Sequence, residues 1–253
     1  MARILGVINQ KGGTGKTTTS VNLSAYLAAL GKNVLLVDLD PQANATTGVG
    51  HRQKDEEMNI YHAIIDGSET GAIIKKTDIF GFHVLPAASS LAGATVELAS
   101  LNGREFRLKN SLNKIRTDYD YIIIDSPPSL GLLTLNGLVA SEQLIIPVQC
   151  EYYALEGLTQ LLETIELVRS SLNPELKIMG VVLTMYDKRN KLANEVVREV
   201  KEKFPGHVFD AVVPRVVSLA EAPSFGKTIL QFDPRSKGAE AYREIAQEVV
   251  QLS

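Results

Sequence analysis

The sequence predicts an α/β fold, a central and mostly parallel sheet with helices on both faces. Three observations carry that expectation. Short runs rich in Ile, Val and Leu alternate along the chain with longer stretches of helical periodicity. Several of those runs are almost continuously apolar, as strands covered on both faces must be. The first run passes through a glycine-rich segment directly into a helical stretch.

In chain order, the strands are expected at Arg3–Asn9, Asn33–Asp38, Gly81–Pro86, Tyr121–Asp125, Gln143–Gln149, Ile178–Met185 and Val208–Val213. Each is a short β-branched run bounded by polar, Gly or Pro residues. Helices are expected between them at Lys16–Leu30, Glu105–Arg116, Leu132–Ala140, Leu155–Leu172 and Lys191–Phe204. A last helix at Gly238–Leu252 carries Tyr242, Ile245, Ala246, Val249 and Val250 at helical spacing, a stripe that packs it on the body of the protein. Residues 51–80 are the most polar stretch and read as a surface excursion.

Size and composition set limits. The 253 residues, 45% of them hydrophobic, are read as one domain spanning 1–253. No apolar run approaches the roughly 18 residues that span a bilayer. The N-terminus enters a strand at once and lacks a signal-peptide layout. One cysteine, Cys150, leaves no internal disulfide framework, so a cytoplasmic setting is expected, with Cys150 in the core. Net charge is −3, which argues against a surface built throughout for nucleic acid. Residues 186–253 carry a net +1 against −4 for the remainder, which permits a local basic face.

The glycine-rich segment is Lys11-Gly12-Gly13-Thr14-Gly15-Lys16-Thr17-Thr18. Strand, glycine loop, helix is the setting of a phosphate-binding loop, and it makes the expected fold P-loop NTPase-like. Gly12, Gly13 and Gly15 let the backbone turn tightly and aim N–H groups at phosphate oxygens. The positive end of the following helix adds to that attraction. Lys16 supplies a point charge for the β- and γ-phosphates, and the Thr17 hydroxyl is placed to ligate Mg²⁺. ATP and Mg²⁺ are the expected cofactors.

Two carboxylate motifs follow. The run ending in Asp38-Leu39-Asp40 delivers both acids to the carboxyl end of a strand, where ligands sit in open α/β sheets. Asp38 is expected to support the site or the magnesium waters; either acid can instead cap the following turn. The run Tyr121–Ile124 ends in Asp125, the pattern of a strand whose carboxylate holds Mg²⁺ through water.

The standard loop begins with glycine, but position 10 is Gln10 and a second lysine, Lys11, heads the loop. The pattern K-G-G-x-G-K-[ST] resembles the deviant P-loop of the ParA/MinD family. The segments "VLLVDLDPQANATTGVG", "YIIIDSPPSLGLLTLN", "PVQCEYYALEGLTQLL" and "DPRSKGAEAY" extend the resemblance to chromosomal-type ParA (Soj) proteins over nearly the whole chain. It implies an ATPase of DNA partition, slow and stimulated by a centromere-binding ParB-type partner. It also implies an ATP-bound sandwich homodimer in which Lys11 reaches the partner's phosphates, and in which DNA is bound without sequence preference on the nucleoid. The N-terminal helix-turn-helix domain of larger relatives is not expected. The residue matching Asp40 positions the attacking water in that family. Pro214, Arg215 and Val216 match the stretch that recognises adenine, although relatives commonly carry Asn where Val216 stands. Relatives often have an arginine implicated in DNA binding where this chain has Ser218. Lys188, Arg189, Lys191, Lys227 and Arg235 remain as candidate DNA contacts. The rivals are an ATP-gated dimerising module with negligible turnover and a MinD-like positioning ATPase. The end "AQEVVQLS" lacks the basic amphipathic face of a membrane-targeting helix, and one cysteine is too few for a shared iron–sulfur cluster.

Overall fold

In a computed structural model, residues 1–54, 56–152 and 154–253 are described. Their strands are β1 (Arg3–Val7), β2 (Val34–Asp38), β3 (Lys75–Lys76), β4 (Phe82–Leu85), β5 (Tyr121–Asp125), β6 (Gln143–Gln149) and β7 (Lys177–Thr184). The first helices are α1 (Lys16–Ala29), α2 (Asn44–Gly48), α3 (Ile60–Ile64), α4 (Thr70–Ile73), α5 (Leu91–Leu98) and α6 (Arg107–Asn113). They continue as α7 (Leu132–Ala140), α8 (Ala154–Ser171), α9 (Lys191–Lys203), α10 (Val217–Glu221), α11 (Ile229–Phe232) and α12 (Lys237–Leu252).

These strands form one sheet in the order β3-β4-β2-β5-β1-β6-β7. All neighbours run parallel except the short antiparallel edge pair β3 and β4. The order makes β5 and β1 central, and β5 sits between β1 and β2 in matched register, Val7 and Asp38 both opposite Asp125. The carboxyl ends of the three strands therefore lie side by side, and the site grows from them.

Period-two alternation fixes which layer each strand residue joins. Leu5, Val7, Leu36 and Ile123 face one layer with α1 and α12, where Tyr242, Ile245, Ala246 and Val249 are fully buried. Ile4, Leu35, Val37, Ile122 and Ile124 face the other, with residues of α3 to α7. A third cluster packs α8 and α9 on β6 and β7 and contains Cys150, whose thiol burial pushes up to about 12. At ~25 cal/mol per Å², each fully buried Leu or Ile contributes roughly 1.5–3 kcal/mol.

Two expectations are corrected. Val208–Val213 is not a strand. Phe209 and Val213 donate to the carbonyls of Val181 and Leu183, so four residues here span two of β7 and the ladder cannot continue. Only isolated bridges at Val181–Val208 and Tyr186–Pro214 remain. Residues 51–80 are not a mere surface excursion either. Ile60, Ala63, Ile64 and Ile73, on α3 and α4, are buried in the core layer beneath α5 and α6.

Candidate functional site

Residues 11–18 join β1 to α1. Gly13 and Gly15 have φ of 76° and 88°, a left-handed conformation that β-carbon-bearing residues adopt at a cost. Gly15 ends the loop as the residue preceding α1, and no side chain caps the helix, so its first N–H groups face outward unclaimed by a cap. Around them opens a cleft of about 350 Å³ lined by Gly12, Gly13, Gly15, Lys16, Thr17, Thr18, Asp40, Gln42, Asn44, Pro128 and Met185. A β-carbon at Gly12 or Gly13 meets nothing within 4 Å, the space an approaching phosphate requires.

Lys16 is 6% exposed, and its Nζ donates to the carbonyl of Lys11 at 3.0 Å. Burial lowers its pKa, while the charges of Asp125 and Asp40 oppose that shift. Lys16 and these two carboxylates therefore share one electrostatic environment. The loop is braced from β7 by the Thr184 hydroxyl, which donates to the Thr14 carbonyl at 2.8 Å. The next residue, Met185, has φ 54°, a strained conformation for a residue other than glycine.

Asp125 is fully buried. Its Oδ1 accepts from the Ser20 hydroxyl of α1 at 2.8 Å, and its Oδ2 has no hydrogen-bond partner among the described residues. Burial, then the nearby Asp38 charge, pushes its pKa well above the carboxylate range, against the opposing pull of the Thr17 and Ser20 hydroxyls. Asp38 is likewise raised by burial. Its oxygens accept from Asp40 N (3.2 Å), Thr46 N (2.8 Å) and the Thr46 hydroxyl (2.7 Å). Asp38 thus ties β2 to α2 and fixes the loop between them. Asp40, on that loop, is 8% exposed; Oδ1 accepts from Gln42 N at 2.9 Å, and nothing among the described residues donates to Oδ2. Ala43, just before α2, has φ 52°, a second strained position in addition to Met185 at the β7 end.

The orphaned Asp125 oxygen, buried close to Thr17 of the cleft, suits a divalent cation. Among the described residues no cluster of His, Cys, Asp or Glu can hold a metal alone. That fits Mg²⁺, which keeps several waters and binds through one or two protein groups together with nucleotide phosphates.

A second cavity, of about 250 Å³, adjoins the loop. It is lined by Gly15, Thr18, Thr184, Met185, Val213, Pro214, Arg215, Val216, Leu219, Ala220 and Tyr242. Pro214, Arg215 and Val216 thus stand beside the phosphate loop, with largely apolar neighbours that suit a base. Met185 lines both cavities and so marks the waist between them. The sequence signals for Met185 and Tyr242 are incomplete: the first looks like the end of a strand, and the second is core, as its helical stripe indicates, but also borders the cavity. Tyr242 is bonded to the Thr19 hydroxyl at 3.2 Å within the core while it borders this second cavity.

Lys11 is exposed, and its Nζ pairs with Glu151 Oε2 of the same chain at 3.2 Å. The candidate DNA contacts Lys188, Arg189, Lys191, Lys227 and Arg235 are all exposed. They are not equivalent. Arg189 is held by Asp187, which accepts from its backbone N–H, Nε and a terminal nitrogen, so its charge is balanced locally.

A family model described as an AAA domain matches residues 2–178. The sporulation initiation inhibitor protein Soj of Bacillus subtilis (strain 168) is 55% identical over 249 residues, 98% of each chain. The chain belongs to the Soj/ParA family of chromosome-partitioning P-loop ATPases. Its fold is shared with solved structures. Cobyrinic acid a,c-diamide synthase from Mycobacterium smegmatis, with bound ADP and magnesium, has a TM-score of 0.87 at 40% identity, covering 99% of this chain and 95% of that one. The cell division ATPase MinD of Pyrococcus furiosus has a TM-score of 0.84 at 26% identity, each chain covered in full. Among the described residues of this Soj/ParA-family chain, no helix is long and apolar enough to cross a membrane.

Proposed function

We propose that this chain is an ATP-driven partition ATPase, a single domain that pairs as a sandwich homodimer on ATP, binds double-stranded DNA without sequence preference, and hydrolyses ATP slowly until a ParB-type partner stimulates it. The observation that carries the reading is convergence. Gly12 to Thr18 of the loop and Asp40 line or adjoin one cleft next to an apolar cavity, and Asp125, at the neighbouring strand end, lies buried behind it within the electrostatic reach of Lys16.

In this reading the base lies among Pro214, Arg215, Val216 and Tyr242. With valine at 216 there is no side-chain amide to read the base, so any polar contact there comes from the backbone. The phosphates lie against the N–H groups of the loop and of α1. Lys16, already poor in water, presents its charge to the terminal phosphates without further desolvation. Thr17 and, through water, Asp125 hold Mg²⁺, which neutralises phosphate charge when bound; Asp38 acts one step back by fixing the Asp40 loop. Asp40 accepts a hydrogen bond from the attacking water on its Oδ2 and aims the water at the γ-phosphate. Lys11 of the partner subunit adds the final positive charge. DNA is held by exposed lysines and arginines doubled in the dimer, which reconciles binding with a monomer of net charge −3. No membrane is involved, and the ATP form resides in the cytoplasm on the nucleoid.

The test is Asp40→Ala. ATP turnover falls to background while ATP-dependent dimerisation and retention on nonspecific duplex persist. Unchanged turnover sinks the role of Asp40. Turnover indistinguishable from zero in the unaltered protein, with and without a ParB partner, favours the ATP-gated module instead. An ATP-loaded dimer that ignores duplex at low and at physiological salt removes the partition reading.

A further inference from the structure

The head of the phosphate loop is laced to β6 and α8 by three side chains. Asn9 Nδ2 donates to the Pro147 carbonyl at 2.7 Å, and Gln10 Nε2 to the Thr164 hydroxyl at 3.0 Å. Lys11 Nζ then pairs with Glu151 at 3.2 Å. Glu151 is itself held, its Oε1 accepting from Gln149 Nε2 at 2.5 Å and its N–H donating to the Gln149 carbonyl at 2.8 Å. Position 10, glycine in the standard loop, thus carries an anchor, and position 11 carries a charge already satisfied within its own protomer.

We propose that Glu151 is a positioning residue that detains Lys11 at home until a second nucleotide-loaded copy draws it away. This rests on the shared-site reading above and deepens it by assigning what Lys11 leaves. Each protomer of a symmetric pair must give up one Lys11–Glu151 contact, so two are broken per dimer. The side chains are 49% and 51% exposed, so each contact is weak and screened by salt. Two exposed pairs together oppose association by about two- to thirtyfold.

The experiment measures the protein concentration at half-maximal dimerisation by analytical ultracentrifugation, in saturating AMPPNP and Mg²⁺, for unaltered protein, Glu151→Gln and Glu151→Asp. Matching thermal melts confirm that all three are folded. Glu151→Gln lowers the midpoint by about two- to thirtyfold at 50 mM NaCl, and the gap closes toward 0.5 M NaCl. Glu151→Asp, which keeps the charge, stays nearer the unaltered protein. An unchanged or raised midpoint for Glu151→Gln overturns the proposal, as do equal shifts for Gln and Asp that persist at high salt. If none of the three dimerises, the shared-site reading falls with it; if the unaltered protein dimerises and Glu151→Gln only matches it, the detention of Lys11 alone fails.

Discussion

Replacing Asp125 with asparagine should stabilise the metal-free protein while disabling its response to magnesium. The carboxylate is fully buried; Ser20 donates to one oxygen, the Thr17 hydroxyl lies close enough to favour the charge, and the other oxygen has no hydrogen-bond partner among the described residues. Asp38 places a like charge close by, and Lys16 offsets it only in part. Leaving a buried acceptor unsatisfied costs about 1–3 kcal/mol. Asparagine keeps the shape, removes the charge and donates toward the neighbouring carboxylates. A gain of about 2 kcal/mol follows, or roughly 4–8 °C in Tm for a chain of this size. Since folding raises the pKa of Asp125 and Asp38, the native state binds more protons than the unfolded chain. The contribution of these two carboxyls to metal-free stability is therefore fully present at low pH and is lost as pH climbs from roughly 4, where an ordinary carboxylate ionises, through about 6 and 8. Asp125→Asn flattens that slope. Thermal unfolding in EDTA between pH 5 and 8, then with Mg²⁺ and ATP, reads all three effects. An Asp125→Asn protein less stable than its parent without metal, or equally stabilised by Mg²⁺ and ATP, refutes the reasoning.

Three other outcomes are expected. Ala43→Gly relieves a left-handed alanine worth about 1 kcal/mol and raises Tm by about 2–4 °C, which differential scanning calorimetry measures. Thr46→Val removes the hydroxyl donor to buried Asp38 and the acceptor of the Ala87 N–H, leaving the Thr46 N–H bond to Asp38 in place, and lowers unfolding free energy by about 1–3 kcal/mol in urea titrations, turnover falling with it as the Asp40 loop loosens. In salt titrations of duplex binding, Lys227→Ala reduces the log–log slope by about one per contacting lysine, whereas Arg189→Ala changes it less because Asp187 already balances that charge.

The parts of this protein that could be read in its sequence are those where one local rule suffices. Buried parallel strands announce themselves as unbroken apolar runs, which is why β1, β2, β5 and β6 fall within two residues of expectation. The phosphate loop is legible because its chemistry demands glycines at fixed spacing. The four- and five-residue helices α2, α3, α4, α10 and α11 are too short to display a period. Val208–Val213 has the composition of a strand, but pairing depends on the spacing of β7 carbonyls, which composition does not encode. The partners of Asp38 and Lys11 lie 8 and 140 residues away, so their division between ligand chemistry and internal restraint emerges only when the chain is folded. Tyr242 is the sharpest case, because an apolar helix stripe looks the same whether the far side is solid core or an adjoining cavity.

That last placement has a consequence for how the protein is made. The cavity proposed to take the base is walled by Gly15 and Thr18 from the start of the chain, and by residues from Val213 to Tyr242 from its far end. A nascent polypeptide on the ribosome owns its phosphate loop early but has no complete base cavity until Tyr242 has emerged. Nucleotide can then act as a clasp fastening the first helix to the last, so ligand-induced protection from proteolysis should arrive in one step near the end of synthesis, with half-made chains gaining none.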